Sequence, residues 1–152
     1  MADFTPRQND DATGTDQTFS NPVFADIENE WHWVKQGVED VLEADSNLTF
    51  TPEHVYGACK AEQAVLWMTN EGFVVSTGET DVFNGERTFL IWLAWAKERG
   101  TNLAVKHLSF FEEVAKAAGF TKIETRSAVP KVISYLEHTG WEVDTVVFKR
   151  YL

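Results

Sequence analysis

The chain has 152 residues, 43% of them hydrophobic and 13% aromatic, enough for one domain with a real core and too few for two substantial ones. A formal charge of -11 argues against direct binding to nucleic acid, whose affinity comes mainly from Lys and Arg neutralising phosphates. No apolar run approaches the roughly 20 residues of a membrane span, no secretory leader is evident, and the single Cys59 rules out an internal disulfide framework or a cysteine-rich zinc site.

Residues 1–24 are polar, rich in Asp, Thr, Asn and Gln, and without helical or strand period, and they read as a flexible N-terminal arm. Phe4, Phe19 and Phe24 with Pro22 give that arm a means of docking on a partner or on its own domain, which is expected to span residues 25–152. From Asp26 the period becomes helical: Ile27, Trp31, Val34, Val38, Val41 and Leu42 recur at three- and four-residue steps, and Asp45-Ser46-Asn47 ends the element. A second helix opens at Thr51-Pro52-Glu53, with threonine at the cap and proline where no amide needs a partner.

Three strands are predicted next, at Ala64 to Thr69, Phe73 to Thr77 and Arg87 to Ala96. The last is nearly all apolar, as befits a central strand covered on both faces; its flanking turns favour strand over buried helix. After a break at Lys97 to Thr101, the spacing of Val105, Leu108, Phe111, Val114 and Ala115 predicts a helix from about Ala104 to Ala118, closed by Gly119. Thr121 to Ser127 reads as a strand, Pro130 opens a helix that Gly140 ends, and Glu142 to Phe148 is predicted as the final strand. The expected class is therefore α/β (α+β), in the order α-α-β-β-β-α-β-α-β, with no strand before Ile27.

At the junction of the long apolar strand and the following helix stands Arg99-Gly100-Thr101-Asn102-Leu103-Ala104. This segment resembles the Q/R-x-x-G-x-G/A loop of the GNAT (Gcn5-related N-acetyltransferase) family, with Arg99 at the first position, Ala104 at the last and Asn102 where the middle glycine belongs. The resemblance implies a GNAT-like mixed central sheet flanked by helices. It also implies acetyl-coenzyme A (acetyl-CoA) bound by residues 99–104, where small residues let unpaired helix amides approach a pyrophosphate. Asn is the replacement for glycine best suited to positive φ. The family's general acid is a Tyr four residues before a Gly-aromatic pair; Gly140-Trp141 supplies the pair, but Leu136 falls at the acid position and Tyr135 one step, about 100°, away.

No carboxylate lies between Thr88 and Ala96, where the family often carries its base, and the nearest acids are Glu79, Asp81 and Glu98. Tyr135 and Glu98 are thus the catalytic candidates. His107 falls in the first turn after the loop, beside the expected phosphate; His32, His54 and His138 show no ligand spacing, and no metal site is expected. Within the family, the pattern is similar to acetyltransferase-like or internal virion proteins of short-tailed bacteriophages, through ENEWHWVKQGVEDVL, TPEHVYGACKAEQAVLW, FLIWLAWAKERG and YLEHTGWEV…FKRYL.

The resemblance implies two roles. One is a virion-associated structural or assembly component with eroded catalytic positions, meeting other virion proteins or itself through the N-terminal arm. The other is an active N-acetyltransferase that uses acetyl-CoA on a primary amine. A small binding module of the host cytoplasm is a third reading. The implied setting is a phage particle or the host cytoplasm, without nucleic acid or membrane as partner.

Overall fold

The computed structural model describes residues 21–152, and its elements follow in the order β-α-α-β-β-β-α-α-β-α. It opens with a strand that the sequence reading lacks, β1 (Val23–Ala25), paired antiparallel with β2 (Ala64–Met68) so that Val23 lies opposite Met68. Three residues are too few for a period of two to stand out. Pro22 is fully buried and Phe24 meets Trp67 edge-on at 6.2 Å, so the sheet begins inside the stretch assigned to the arm. The rest of that arm, residues 1–20, lies outside the described residues.

Both opening helices start as their caps dictate. Asp26 accepts the Glu28 amide at 2.8 Å and begins α1 (Ile27–Ala44). At α2 (Pro52–Lys60) the Thr51 hydroxyl accepts the His54 amide, while His54 Nδ1 accepts the Thr51 amide at 3.0 Å. This is a capping box with imidazole in the place of Glu or Gln. Cys59, near the end of α2, is half-buried, and desolvation pushes its thiol up to about 11.

The five-stranded sheet runs in the order β1-β2-β3-β4-β5, with β3 (Gly72–Thr80) and β4 (Arg87–Ala96) antiparallel to each other and β5 (Lys122–Thr125) parallel to β4. It is the mixed, helix-flanked sheet that the sequence predicts. Helices α1 and α2 cover one face, with Val34, Val38 and Val55 packed on Leu66, Phe73, Val75 and Leu93. On the other face, Leu103, Ala104, Phe111 and Ala115 pack on Trp67, Val74, Phe89 and Ile91. Strand β4 is buried from both sides, which is why its sequence is an unbroken apolar run.

Two further expectations are corrected. The helix predicted over Ala104 to Ala118 is two helices, α3 (Leu103–Lys106) and α4 (Leu108–Ala117), separated at His107. The apolar stripe runs through the break, so periodicity could not reveal it. Residues Glu142 to Phe148 follow α5 (Pro130–His138) and belong to no strand, because no described backbone pairs with theirs. A β-prone sequence becomes a strand only beside another.

Two glycines set how closely α1 and β3 approach β4. A Cβ at Gly37 of α1 would stand 2.4 Å from Phe73 Cε2 and 2.8 Å from Trp95 Cδ2; at Gly72, the first residue of β3, it would stand 1.9 Å from the Trp95 carbonyl oxygen. Phe73 and Trp95 stack at 5.7 Å, and the Trp95 indole donates to Asp40 of α1 at 3.0 Å. Gly37→Ala should cost about 1–3 kcal/mol by overpacking, and Gly72→Ala more, because its obstacle is backbone and cannot rotate away. Urea unfolding of the two variants checks the order; a Gly72→Ala chain as stable as the parent would contradict the packing described.

Candidate functional site

The sheet opens where β4 and β5 part. Their parallel pairing covers Thr88 to Ile91 of β4 against Lys122 to Thr125 and then stops, whereas on its other side β4 stays paired with β3 as far as Ala96, opposite Gly72. Trp92, Leu93, Ala94, Trp95 and Ala96 therefore have a strand on one side only among the described residues. We refer to this one-sided edge of β4 as the wedge. Buried backbone N–H and C=O groups need partners, so this edge is suited to a ligand that carries amides of its own.

The wedge begins at an irregularity in β4. Val75 lies opposite Leu93 and Ser76 opposite Ile91, which leaves Trp92 as an extra residue. Trp92 and Leu93 accordingly pack on the same face, the one covered by α1 and α2. Such a bulge breaks the regular hydrogen-bond ladder and turns backbone groups out of it. Trp92 also meets Phe50, from the loop between α1 and α2, at 5.2 Å, so that an aromatic pair walls one side of the opening.

Beyond the wedge runs the predicted cofactor loop. Arg99 and Gly100 are exposed, Thr101 and Asn102 half-buried, and Leu103 and Ala104 buried in the second core. Gly100 takes the left-handed conformation, φ +88°, and a Cβ there would have open space around it. Asn102 does not: its φ is -105°, and it caps α3 by accepting the Val105 amide at 3.2 Å. The expectation that Asn102 replaces a left-handed glycine is thus corrected. Its residue type serves N-capping, which uses the same short polar side chain. Lys97 and Arg99 place two exposed cations on this loop.

The two catalytic candidates lie on different elements, Tyr135 on α5 and Glu98 within the loop itself, between Lys97 and Arg99. Tyr135 on α5 is exposed while Leu136 beside it is buried, as the 100° step between neighbours requires. Glu98 is exposed on the loop after β4. Of the other acids considered, Glu79 pairs with Arg126 at 2.9 Å, and Asp81 accepts the amides of Phe83 and Asn84 in the β3–β4 turn, bonds that hold its carboxyl below its ordinary range. His54 is occupied in its cap, and His138 bonds the Ser134 carbonyl at 2.7 Å. Among the described residues no group of three or more His, Cys, Asp or Glu is placed to hold a metal ion, and no helix is long and apolar enough to cross a membrane.

One cluster escaped the sequence reading because its members are 35 residues apart. Glu71, in the β2–β3 turn, accepts from Lys106 Nζ and lies 3.8 Å from His107 Nε2. Its carbonyl also takes the Lys97 amide at 2.8 Å, which ties the turn to the start of the loop after β4. The His107 side chain is buried and its Nε2 makes no hydrogen bond. The bond from Lys106 holds the Glu71 carboxyl below its ordinary range; burial pulls the His107 imidazole down, against the opposing pull of Glu71.

No protein-family model matches the chain, and no curated protein matches it in sequence. Its shape has many counterparts among solved structures. Ribosomal-protein-alanine N-acetyltransferase from Brucella melitensis biovar Abortus 2308 superposes with a TM-score of 0.64 over 87% of this chain and 99% of that one, at 12% identity. Glucosamine-6-phosphate N-acetyltransferase from Arabidopsis thaliana gives 0.58 over 86% and 97%, at 15% identity. An aminoglycoside acetyltransferase from an uncultured soil metagenomic sample, solved with sisomicin, gives 0.59 over 82% and 89%, at 12% identity. Likeness at these identities establishes the fold: a GNAT-like mixed sheet with helices on both faces.

The turn cluster carries its own pH signature. With a folded pKa below the ordinary 6.5, His107 is protonated first in the unfolded chain, so stability falls as pH drops from about 6.5 toward the depressed value. The Glu71 contribution is present above 4.5 and is lost as pH falls further, through its lowered folded pKa. Between pH 7.5 and 5.5, His107→Gln should recover up to about 1.4 kcal/mol of the acid-side loss, the most that one pH unit below the ordinary 6.5 allows. Urea titrations of both proteins at the two pH values measure it; equal slopes would mean that the imidazole is not desolvated.

Proposed function

We propose that this GNAT-fold chain binds acetyl-CoA in the wedge between β4 and β5 and transfers the acetyl group to a primary amine. The observation that carries this reading is the early end of the β4–β5 pairing, at Ile91 and Thr125, next to the bulge at Trp92. The residues present fit the cofactor. Its amide-bearing arm is matched by the unpaired edge of Trp92 to Ala96, and its phosphates by the exposed Lys97 and Arg99 beside Gly100, whose surroundings are open. When bound, acetyl-CoA supplies an acyl group activated as a thioester.

The chain's own part is positioning and polarisation. Backbone N–H groups freed at the bulge can donate to a carbonyl oxygen as negative charge develops on it, and their rigid attachment to a buried strand means that little reorganisation is needed. Phe50 and Trp92 exclude water from one side of the opening. Direct attack by a neutral amine depends chiefly on holding the two reactants together, and so needs no strong acid or base from the protein. An acidic chain, with a formal charge of -11, attracts a basic acceptor electrostatically.

A second reading, a binding or virion-assembly component on the same scaffold, is favoured by Leu136 at the position where the family carries its hydroxyl acid. Calorimetry with acetyl-CoA should give a Kd on the order of 10 µM, weakened at least about tenfold by Gly100→Trp. Absence of binding at millimolar cofactor would defeat the acetyltransferase reading. Binding with no thiol released in the presence of varied primary amines would favour the second. Because Tyr135 is exposed, Tyr135→Phe should leave turnover within about twofold of the parent; a loss of a hundredfold would make it the acid after all.

A further inference from the structure

The stretch from Lys97 to Lys106 carries the cations and the glycine that acetyl-CoA binding calls on, yet little in it is stable by itself. Lys97 to Gly100 are exposed, and α3 is a single turn of four residues. A helix of that length has no stability of its own in water and takes its place from what it touches. On its inner side, Leu103 and Ala104 are buried in the second core. On its outer side the anchor is Glu71, a residue of the β2–β3 turn.

Glu71 grips this stretch at both ends. Its carbonyl oxygen accepts the Lys97 amide at 2.8 Å, where the chain leaves β4. Its carboxylate accepts from Nζ of Lys106, the last residue of α3, and His107 Nε2 lies 3.8 Å from the other carboxylate oxygen. The Lys106 bond holds the carboxyl below its ordinary range, so it is ionised at neutral pH. The turn that presents it is itself fixed. The buried Thr69 hydroxyl accepts the amides of Glu71 and Gly72 at 3.1 and 3.0 Å, and Gly72 sits too close to the Trp95 carbonyl for any side chain. Inside the stretch, the Lys106 amide bonds the Asn102 carbonyl at 2.9 Å, while the Asn102 side chain accepts the Val105 amide at 3.2 Å. A pull on Lys106 is thus passed back along the turn to Asn102.

We propose that Glu71 is a positioning residue for the cofactor: a clasp that fixes residues 97–106 against the β2–β3 turn and so sets where Lys97, Arg99 and Gly100 meet the phosphates. The second half of this inference rests on the acetyl-CoA reading; the clasp itself is a property of the chain without ligand. Lys106 offsets the negative charge that Glu71 would otherwise bring to a phosphate site. The side chains of Lys106 and Glu71 are 49% and 33% exposed, so the ion pair is modest and the clasp can open without unfolding the domain.

Hydrogen exchange of the full chain without ligand, followed at the Val105, Lys106 and His107 amides, reads the clasp. Glu71→Gln should speed exchange at these amides about threefold, while those pairing β3 with β4 stay as slow as in the parent. The Lys97 bond is to backbone and survives the substitution. Glu71→Lys with Lys106→Glu sets the same two charges in reverse and should return most of the protection, a recovery that a side chain serving only to fill space would not show. Calorimetry tests the second half: Glu71→Gln should weaken acetyl-CoA binding about threefold, and the reversed pair should recover it. Unchanged exchange in Glu71→Gln overturns the clasp. Faster exchange with unchanged affinity for acetyl-CoA overturns the positioning role. A parent chain that binds no acetyl-CoA defeats the acetyltransferase reading and the positioning role with it, and the exchange result then decides the clasp alone.

Discussion

Strand β4 cannot satisfy its backbone in the same way along its whole length, and the rest of the architecture follows from that constraint. A central strand buried on both faces has no water to bond with, so its amides and carbonyls must find partners in neighbouring strands. On the β3 side they do so through to Ala96. On the β5 side the ladder stops after Ile91, and the extra residue at Trp92 turns the chain there. Half of one edge is thus committed to folding, and the other half is left for something that is not part of the sheet. A loop bearing Lys97, Arg99 and Gly100 leads away from that half.

Holding such an edge open requires rigid neighbours. Gly72 lets β3 start against the Trp95 carbonyl, and Gly37 lets α1 settle onto the Phe73–Trp95 stack. On the opposite face, Trp67 donates to Ser76 at 2.9 Å in the core, and its ring meets Phe111 of α4 edge-on at 5.8 Å. The tryptophans that stood out in the composition are therefore largely a packing device around β3 and β4. The indoles of Trp67 and Trp95 donate to Ser76 and Asp40, whereas the Trp141 indole N–H is buried without an acceptor.

Legibility from sequence followed the length of each signal. Helix α1 and strand β4 were plain, because four turns of apolar stripe and ten residues of apolar run leave little choice. The loop of residues 99–104 could be placed by its position between β4 and the following helix. Its conformation could not: whether Asn102 adopts positive φ or caps a helix depends on where α3 begins, a matter of one residue. Strand β1 is too short for a period, and the break at His107 hides inside a continuous stripe. The Glu71–Lys106–His107 cluster depends on a turn meeting a helix 35 residues away, and nothing local to either announces it. Residues 142–148 show the opposite case, a strand predicted from β-propensity that has no described neighbour to make it one.

The lone sulfhydryl of Cys59 shows how burial tunes the chemistry of a side chain. The thiolate, and not the thiol, is the nucleophilic form of cysteine. Desolvation near the end of α2 keeps this sulfur protonated up to about 11. At neutral pH that sulfur is therefore held as the weakly nucleophilic thiol.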